Sequence, residues 1–142
     1  MGNQQSMQRL NFEDIQHILT NHIKYTLINT LNSNLQDCLI PHTITSNNEE
    51  SIINQLLSNN KSRYIVIYGK NSNDTTIYDK YEQLVKLGFT NIYVYPGGMF
   101  EWLCLQDIYS HELFPTNKKE LDILKYKPDT QLNKLYITDG ID

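Results

Sequence analysis

The sequence predicts an α/β domain with a mainly parallel central sheet flanked by helices, and three observations carry that prediction. Tyr64-Ile65-Val66-Ile67-Tyr68 is a near-continuous apolar run, as expected of a central parallel strand covered on both faces. Segments with helical spacing alternate with such runs along the chain, the order that builds a parallel sheet. The turn Tyr95-Pro96-Gly97-Gly98-Met99-Phe100-Glu101-Trp102 joins an apolar strand-like run to another apolar run. Two glycines at that junction allow positive φ and close backbone approach.

In chain order, Asn11 reads as an N-cap, with Phe12, Ile15, Ile18 and Leu19 at helical spacing behind it, so a helix is expected from about Phe12 to Thr20. Tyr25-Thr26-Leu27-Ile28 reads as a short strand, and Ile40-Pro41-His42-Thr43-Ile44 as a further short segment with His42 at a solvent-facing turn. Asn48 is expected to cap a helix over Glu49 to Leu57, its first-turn acids suiting the helix dipole. Thr75 to Leu87 reads as an amphipathic helix with Ile77, Tyr81, Leu84 and Val85 inward, closed by Gly88. Asn91 to Tyr95 is the next strand, and Trp102, aligned with Met99 and Leu105, is a core anchor of the helix that follows. Thr116 is a candidate N-cap of a short helix ended by Pro128, an extension expected to wrap back through Phe114, Leu121 and Leu124. Leu135-Tyr136-Ile137 could add an edge strand.

Composition excludes several function classes. The chain has 142 residues, enough for one core. With 12 basic against 16 acidic residues it has no electrostatic footprint for nucleic acid. The absence of alanine beside abundant Asn, Ile, Lys and Tyr points to A/T-rich codon usage and carries no function. No apolar run approaches about 20 residues, so no transmembrane segment is expected. His17, His22, His42 and His111 lack ligand spacing, and neither a metal site nor a cofactor is expected. Two cysteines, Cys38 and Cys104, without a spacing pattern fit a reducing, cytoplasmic setting better than a disulfide framework. Met1-Gly2-Asn3-Gln4-Gln5-Ser6 fits the N-myristoylation pattern at Gly2. One acyl chain holds a protein to membrane only marginally, so the expectation is a cytoplasmic protein with reversible membrane contact if Gly2 is acylated.

Ile65-Val66-Ile67-Tyr68, a polar loop, a helix ending at Leu87-Gly88-Phe89, the strand Asn91-Ile92-Tyr93-Val94-Tyr95 and the Gly97-Gly98-x-x-x-Trp102 turn occur in one order and spacing. Together they resemble the second half of a rhodanese-like domain, and a fainter resemblance extends from about Asn11 to Tyr109. This divides the chain into a flexible leader over 1–10, a rhodanese-like domain over 11–110 and an extension over 111–142 packed on it. In that family a cysteine at the end of the central strand opens a loop of the form Cys-x-x-x-x-Arg-Ser/Thr. Here the loop reads Gly69-Lys70-Asn71-Ser72-Asn73-Asp74-Thr75. The resemblance thus puts Gly69 at the nucleophile position and Asp74 at the basic one. It also puts Asn29 and Leu31 where the family usually carries an Asp-x-Arg pair.

Sulfur transfer needs a thiolate and donors that stabilise an anion. A glycine has nothing to attack with, and an aspartate repels a thiosulfate-like anion. The resemblance therefore implies a rhodanese-like fold without rhodanese chemistry, and phosphatase chemistry on the same fold lacks the same two residues. The expected role is binding of a protein partner or regulation, through the loop from Gly69 to Thr75 and a face around Tyr95, Phe100 and Tyr109. The alternative is a thiosulfate or persulfide sulfurtransferase using Cys38 as a relocated nucleophile, with Cys104 in the apolar run Trp102-Leu103-Cys104-Leu105 a buried structural thiol. Binding of a small molecule in the same pocket is a third reading.

Overall fold

The computed structural model describes residues 7–132. Gly2 and Leu135-Tyr136-Ile137 lie outside the described residues. Five strands form one parallel sheet in the order β1-β5-β4-β2-β3: β1 (Gln8–Arg9), β2 (Tyr25–Asn29), β3 (Thr43–Ile44), β4 (Tyr64–Tyr68) and β5 (Ile92–Tyr95). Four helices, α1 (Phe12–Thr20), α2 (Ser46–Asn59), α3 (Thr76–Leu87) and α4 (Gly98–Ile108), complete the domain.

The period-two alternation of β4 decides the layering. Val66 and Tyr68 face a core shared with Ile15 and Ile18 of α1 and with Met99, Trp102 and Leu103 of α4. Ile65 and Ile67 face the opposite core, with Ile53 of α2 and with Ile77 and Leu84 of α3. The sheet is thus covered on both sides, which is why its central strand is apolar at Ile65, Val66, Ile67 and Tyr68.

Local chemistry sets the helix ends. Asn11 caps α1 by accepting from the Asp14 N–H at 3.0 Å, and the Asp14 carboxylate accepts the Asn11 N–H at 2.9 Å. This reciprocal box satisfies two donors that the first turn would otherwise leave open. α3 ends at Gly88, with φ 106°, whose N–H reaches the Val85 carbonyl at 3.0 Å. The start of α4 depends on Gly98, which has φ 68°. A Cβ there would lie 2.8 Å from the Gly69 carbonyl oxygen and 3.0 Å from the Asn71 nitrogen.

Several expectations are corrected. Gln8 and Arg9 pair with Tyr93 and Val94, so the leader contributes an edge strand before residue 10. α2 begins at Ser46, behind Thr45; Asn48 sits inside the first turn and donates to the Thr45 hydroxyl. Val85 is 45 % exposed, because its place on α3 turns it away from the sheet while Ile77 and Leu84 are buried. Among its described residues the extension has a tight helical turn over Ile123–Tyr126, and Thr116, instead of capping a helix, is buried with its hydroxyl donating to the Lys118 carbonyl. Phe114 is buried, but Leu121 and Leu124 are exposed, and Tyr126 takes the anchoring place.

The tyrosines of the core are polar ties as well as packing. The Tyr68 hydroxyl accepts the Ile40 N–H at 3.1 Å and lies 2.8 Å from the Thr43 hydroxyl, fixing the chain that enters β3. The Tyr95 hydroxyl donates to Glu101 at 2.5 Å, joining β5 to α4. Trp102 stands edge-on to Tyr95 and Phe114, and its Nε1–H donates to the Pro115 carbonyl at 2.8 Å. Burial raises the Tyr68 and Tyr95 hydroxyls above their ordinary range and pushes Tyr126 up to about 12.

Two predictions follow from these contacts. Gly88→Ala adds only conformational strain, since its Cβ meets the flexible Lys61 side chain at 3.5 Å, and should cost about 1 kcal/mol. Gly98→Ala adds a backbone collision to the same strain and should cost at least about 2 kcal/mol; urea denaturation of the two variants checks the ranking. Because Tyr68, Tyr95 and Tyr126 stay protonated in the fold after the unfolded chain begins to ionise near pH ~10, their stabilisation is complete below that pH and is lost as pH rises. Tyrosinate absorbance should therefore show a fraction of the tyrosines ionising only together with the loss of far-ultraviolet circular dichroism.

Candidate functional site

The loop from β4 to α3 leaves the sheet at the C-terminal edge of its central strand, the edge at which open α/β sheets bind ligands. Its start is pinned by the first turn of α4. The Met99 N–H donates to the Gly69 carbonyl at 3.0 Å and the Phe100 N–H to the Lys70 carbonyl at 2.9 Å. The Gly97-Gly98 turn thus places α4 against the loop, with Gly98 at the point of closest backbone approach.

The loop then closes on its own aspartate. Asp74 Oδ2 accepts the Lys70 N–H at 2.9 Å, and Oδ1 accepts the Thr76 N–H at 2.9 Å. The Thr76 hydroxyl donates to Oδ1 at 2.6 Å and lies 2.8 Å from the Thr30 hydroxyl beyond β2. Asn71 shapes the other side of the loop, its Oδ1 accepting the Asn73 N–H and its carbonyl the Asp74 N–H. The carboxylate therefore lies where the loop amides and the N-terminus of α3 favour negative charge. It also fills the space beside Gly69: a Cβ there would lie 2.5 Å from Asp74 Oδ2, 2.7 Å from Thr30 Oγ1 and 3.0 Å from Ile77 Cγ2.

A cavity of about 310 Å³ opens above the loop. Lys70, Asn71, Asn73, Asp74 and Thr76 form one wall and residues 30–32 a second; Lys127, Asp129 and Gln131 of the extension form the third. Ser72 and Thr75 are exposed and stand outside it, while the Thr75 carbonyl accepts the Tyr78 N–H at the start of α3. The Asn71 side chain, 7 % exposed, donates to the Tyr126 carbonyl at 2.9 Å and so ties the extension to the loop. The lining is polar and carries both signs of charge. Among the described residues no group of three or more His, Cys, Asp or Glu is placed to hold a metal, and no helix is long and apolar enough to cross a membrane.

The remaining candidates stand elsewhere. Cys38 is 4 % exposed, donates its thiol to the Lys118 carbonyl at 3.2 Å and does not line the cavity. Burial raises its pKa, and the nearby Glu120 raises it further against hydrogen bonding from Thr116. Cys104 is half-buried rather than fully buried, and burial followed by the charges of Asp107 and Glu101 raises its thiol. Tyr95 is fully buried and so belongs to the core and not to an exposed face with Phe100 and Tyr109. Asn29 is buried, bonded to Gln36 and to the Ile44 carbonyl, a structural tie between β2 and β3. His42 occupies an exposed turn with φ 69° and stacks on His22.

Sequence reasoning missed Thr30, Asn32, Lys127, Asp129 and Gln131 as lining residues and Tyr126 as the anchor. Thr30 and Asn32 follow the end of a strand pattern and could have been placed at the ligand edge by that position alone. The extension carries no periodicity that would announce where it returns.

The family model of the rhodanese-like domain matches residues 27–104. No curated protein sequence matches the chain. Among solved structures, a single-domain sulfurtransferase from Saccharomyces cerevisiae has 13 % sequence identity and a TM-score of 0.57, covering 75 % of this chain and 97 % of its own. A thiosulfate sulfurtransferase from Pseudomonas aeruginosa has 14 % identity and a TM-score of 0.57 over 84 % of this chain and 23 % of its own. The Alr3790 protein from Anabaena has 19 % identity and a TM-score of 0.54 over 82 % of this chain and 97 % of its own. TM-scores of 0.54 to 0.57 establish a shared fold, and with a family match that spans more than half of its length, the chain belongs to the rhodanese-like domain family.

Proposed function

We propose that this chain is a rhodanese-like domain that does not transfer sulfur and serves as a protein-binding or regulatory module. The observation that carries the reading is the Asp74 carboxylate, bonded to the Lys70 and Thr76 amides inside the loop. A sulfurtransferase loop has to present a thiolate and leave its anion-stabilising donors free for substrate. Here Gly69, at the position the resemblance gives to that thiolate, offers no nucleophile, and two of the donors already hold an internal carboxylate. The cavity supports a binding role: hydroxyls, carboxamides and charges of both signs suit a polar segment of a partner better than a small oxyanion. Cys38 is a poor relocated nucleophile, because a buried thiol with a raised pKa holds little thiolate at neutral pH.

Thiosulfate-to-cyanide sulfur transfer tests the reading directly. The unmodified protein and Cys38→Ser should both be silent. Gly69→Cys should also stay silent, because its Cβ meets Asp74, and Gly69→Cys with Asp74→Arg should gain activity. Activity of the unmodified protein that disappears in Cys38→Ser would overturn the proposal.

A double-mutant cycle checks the packing on which it rests. Gly69→Ala should destabilise the protein by about 2 kcal/mol as an overpacking substitution. In an Asp74→Ala background the same change should cost at least about 1 kcal/mol less, as read from urea midpoints at unchanged m.

A further inference from the structure

The same cavity has a wall that the family core does not supply. Between residues 119 and 132 the chain makes only local backbone hydrogen bonds among the described residues, from Lys125 to Asp122 and from Lys127 to Leu124. It holds the domain through the buried Tyr126 ring and the hydrogen bond from Asn71 to the Tyr126 carbonyl, with partial packing by Ile123. Leu121, Leu124 and Leu132 are 81 %, 64 % and 68 % exposed and add little. The Lys125–Glu120 ion pair, at 2.6 Å, lies within the segment and does not fasten it to the sheet. Just before it the chain is well tied, by the Asn117 N–H to the Leu39 carbonyl and by Cys38 to the Lys118 carbonyl.

We propose that residues 119–131 form a displaceable cover over the loop cavity, hinged after Lys118 and latched by Tyr126 and Asn71. The inference rests on the cavity being the binding site proposed above. Opening would break one buried hydrogen bond, lift one aromatic ring out of the core and remove Lys127, Asp129 and Gln131 from the cavity wall. A segment with few buried contacts opens at a free energy well below that of global unfolding. A partner would then meet the exposed Asn71 carboxamide and the Lys70 side of the loop in the open state, so the cover regulates access.

Cys38 is a natural reporter, since it shares a core cluster with Tyr126 beneath the cover. Native-state hydrogen exchange of the unmodified protein should show amides of residues 123–131 exchanging at least about tenfold faster than those of β4. In a Cys104→Ser background, which leaves Cys38 as the remaining cysteine, a disulfide reagent should label the thiol at least about tenfold faster after Tyr126→Ala, with β4 protection retained. Cover amides protected as strongly as β4 in the unmodified protein would overturn the proposal, whatever the variant does. So would unchanged labelling of Cys38 in a folded Tyr126→Ala protein. Neither readout involves sulfur transfer, so a failure of the cover is distinguishable from a failure of the functional reading.

Discussion

Two backbone hydrogen bonds, from Met99 to the Gly69 carbonyl and from Phe100 to the Lys70 carbonyl, join the start of α4 to the end of β4, and the candidate site depends on them. They form because Gly98 takes φ 68° and has no Cβ to hold the chains apart. The same turn directs Trp102 into the core, where its ring meets Tyr95 and Phe114 and its Nε1–H reaches Pro115. One glycine position therefore sets both the loop's start and the place where Trp102 meets Phe114 and Pro115 of the extension. Backbone constraints of this kind cannot relax as a side-chain contact can, because the colliding atoms belong to the sheet edge itself.

With the loop's start fixed, its interior is decided by Asp74. A short carboxylate at this position reaches the Lys70 and Thr76 amides and accepts charge-assisted hydrogen bonds from both. The space it takes is the space beside Gly69. Glycine at 69 and aspartate at 74 are thus one packing solution, because any side chain at 69 meets the carboxylate while it stays in place. The extension follows the same economy of contacts. Among its described residues after Lys118, the buried Tyr126 ring and the hydrogen bond from Asn71 to the Tyr126 carbonyl hold it beside the loop.

Much of this was legible in the sequence where local chemistry dominates. The apolar run of β4, the Asn11 cap, the stripe of Ile77 and Leu84 and the Gly88 stop each state their role within a few residues. The glycine turn and Trp102 also stood out, and so did glycine and aspartate at the loop positions where the resemblance implies a cysteine and a cation. What stayed hidden depends on contacts distant in sequence. β1 is two polar residues made a strand only by Tyr93 and Val94 opposite them. α2 offers Thr45, Ser46 and Asn48 as rival starts, and the helix begins behind the first, where the Ser46 N–H donates to the Gln36 side chain ten residues away. That the Asp74 carboxylate turns inward depends on where Lys70, Thr76 and Thr30 meet, and Tyr126 is an anchor because Asn71 awaits it 55 residues away.

The central claim is that the loop's amides are occupied by the protein's own carboxylate. The most direct measurement follows the Lys70 and Thr76 backbone amide resonances as thiosulfate is added at constant ionic strength. No displacement beyond a chloride control is expected in the unmodified protein. A saturable shift of these two amides, with Asp74 released from them, would contradict it.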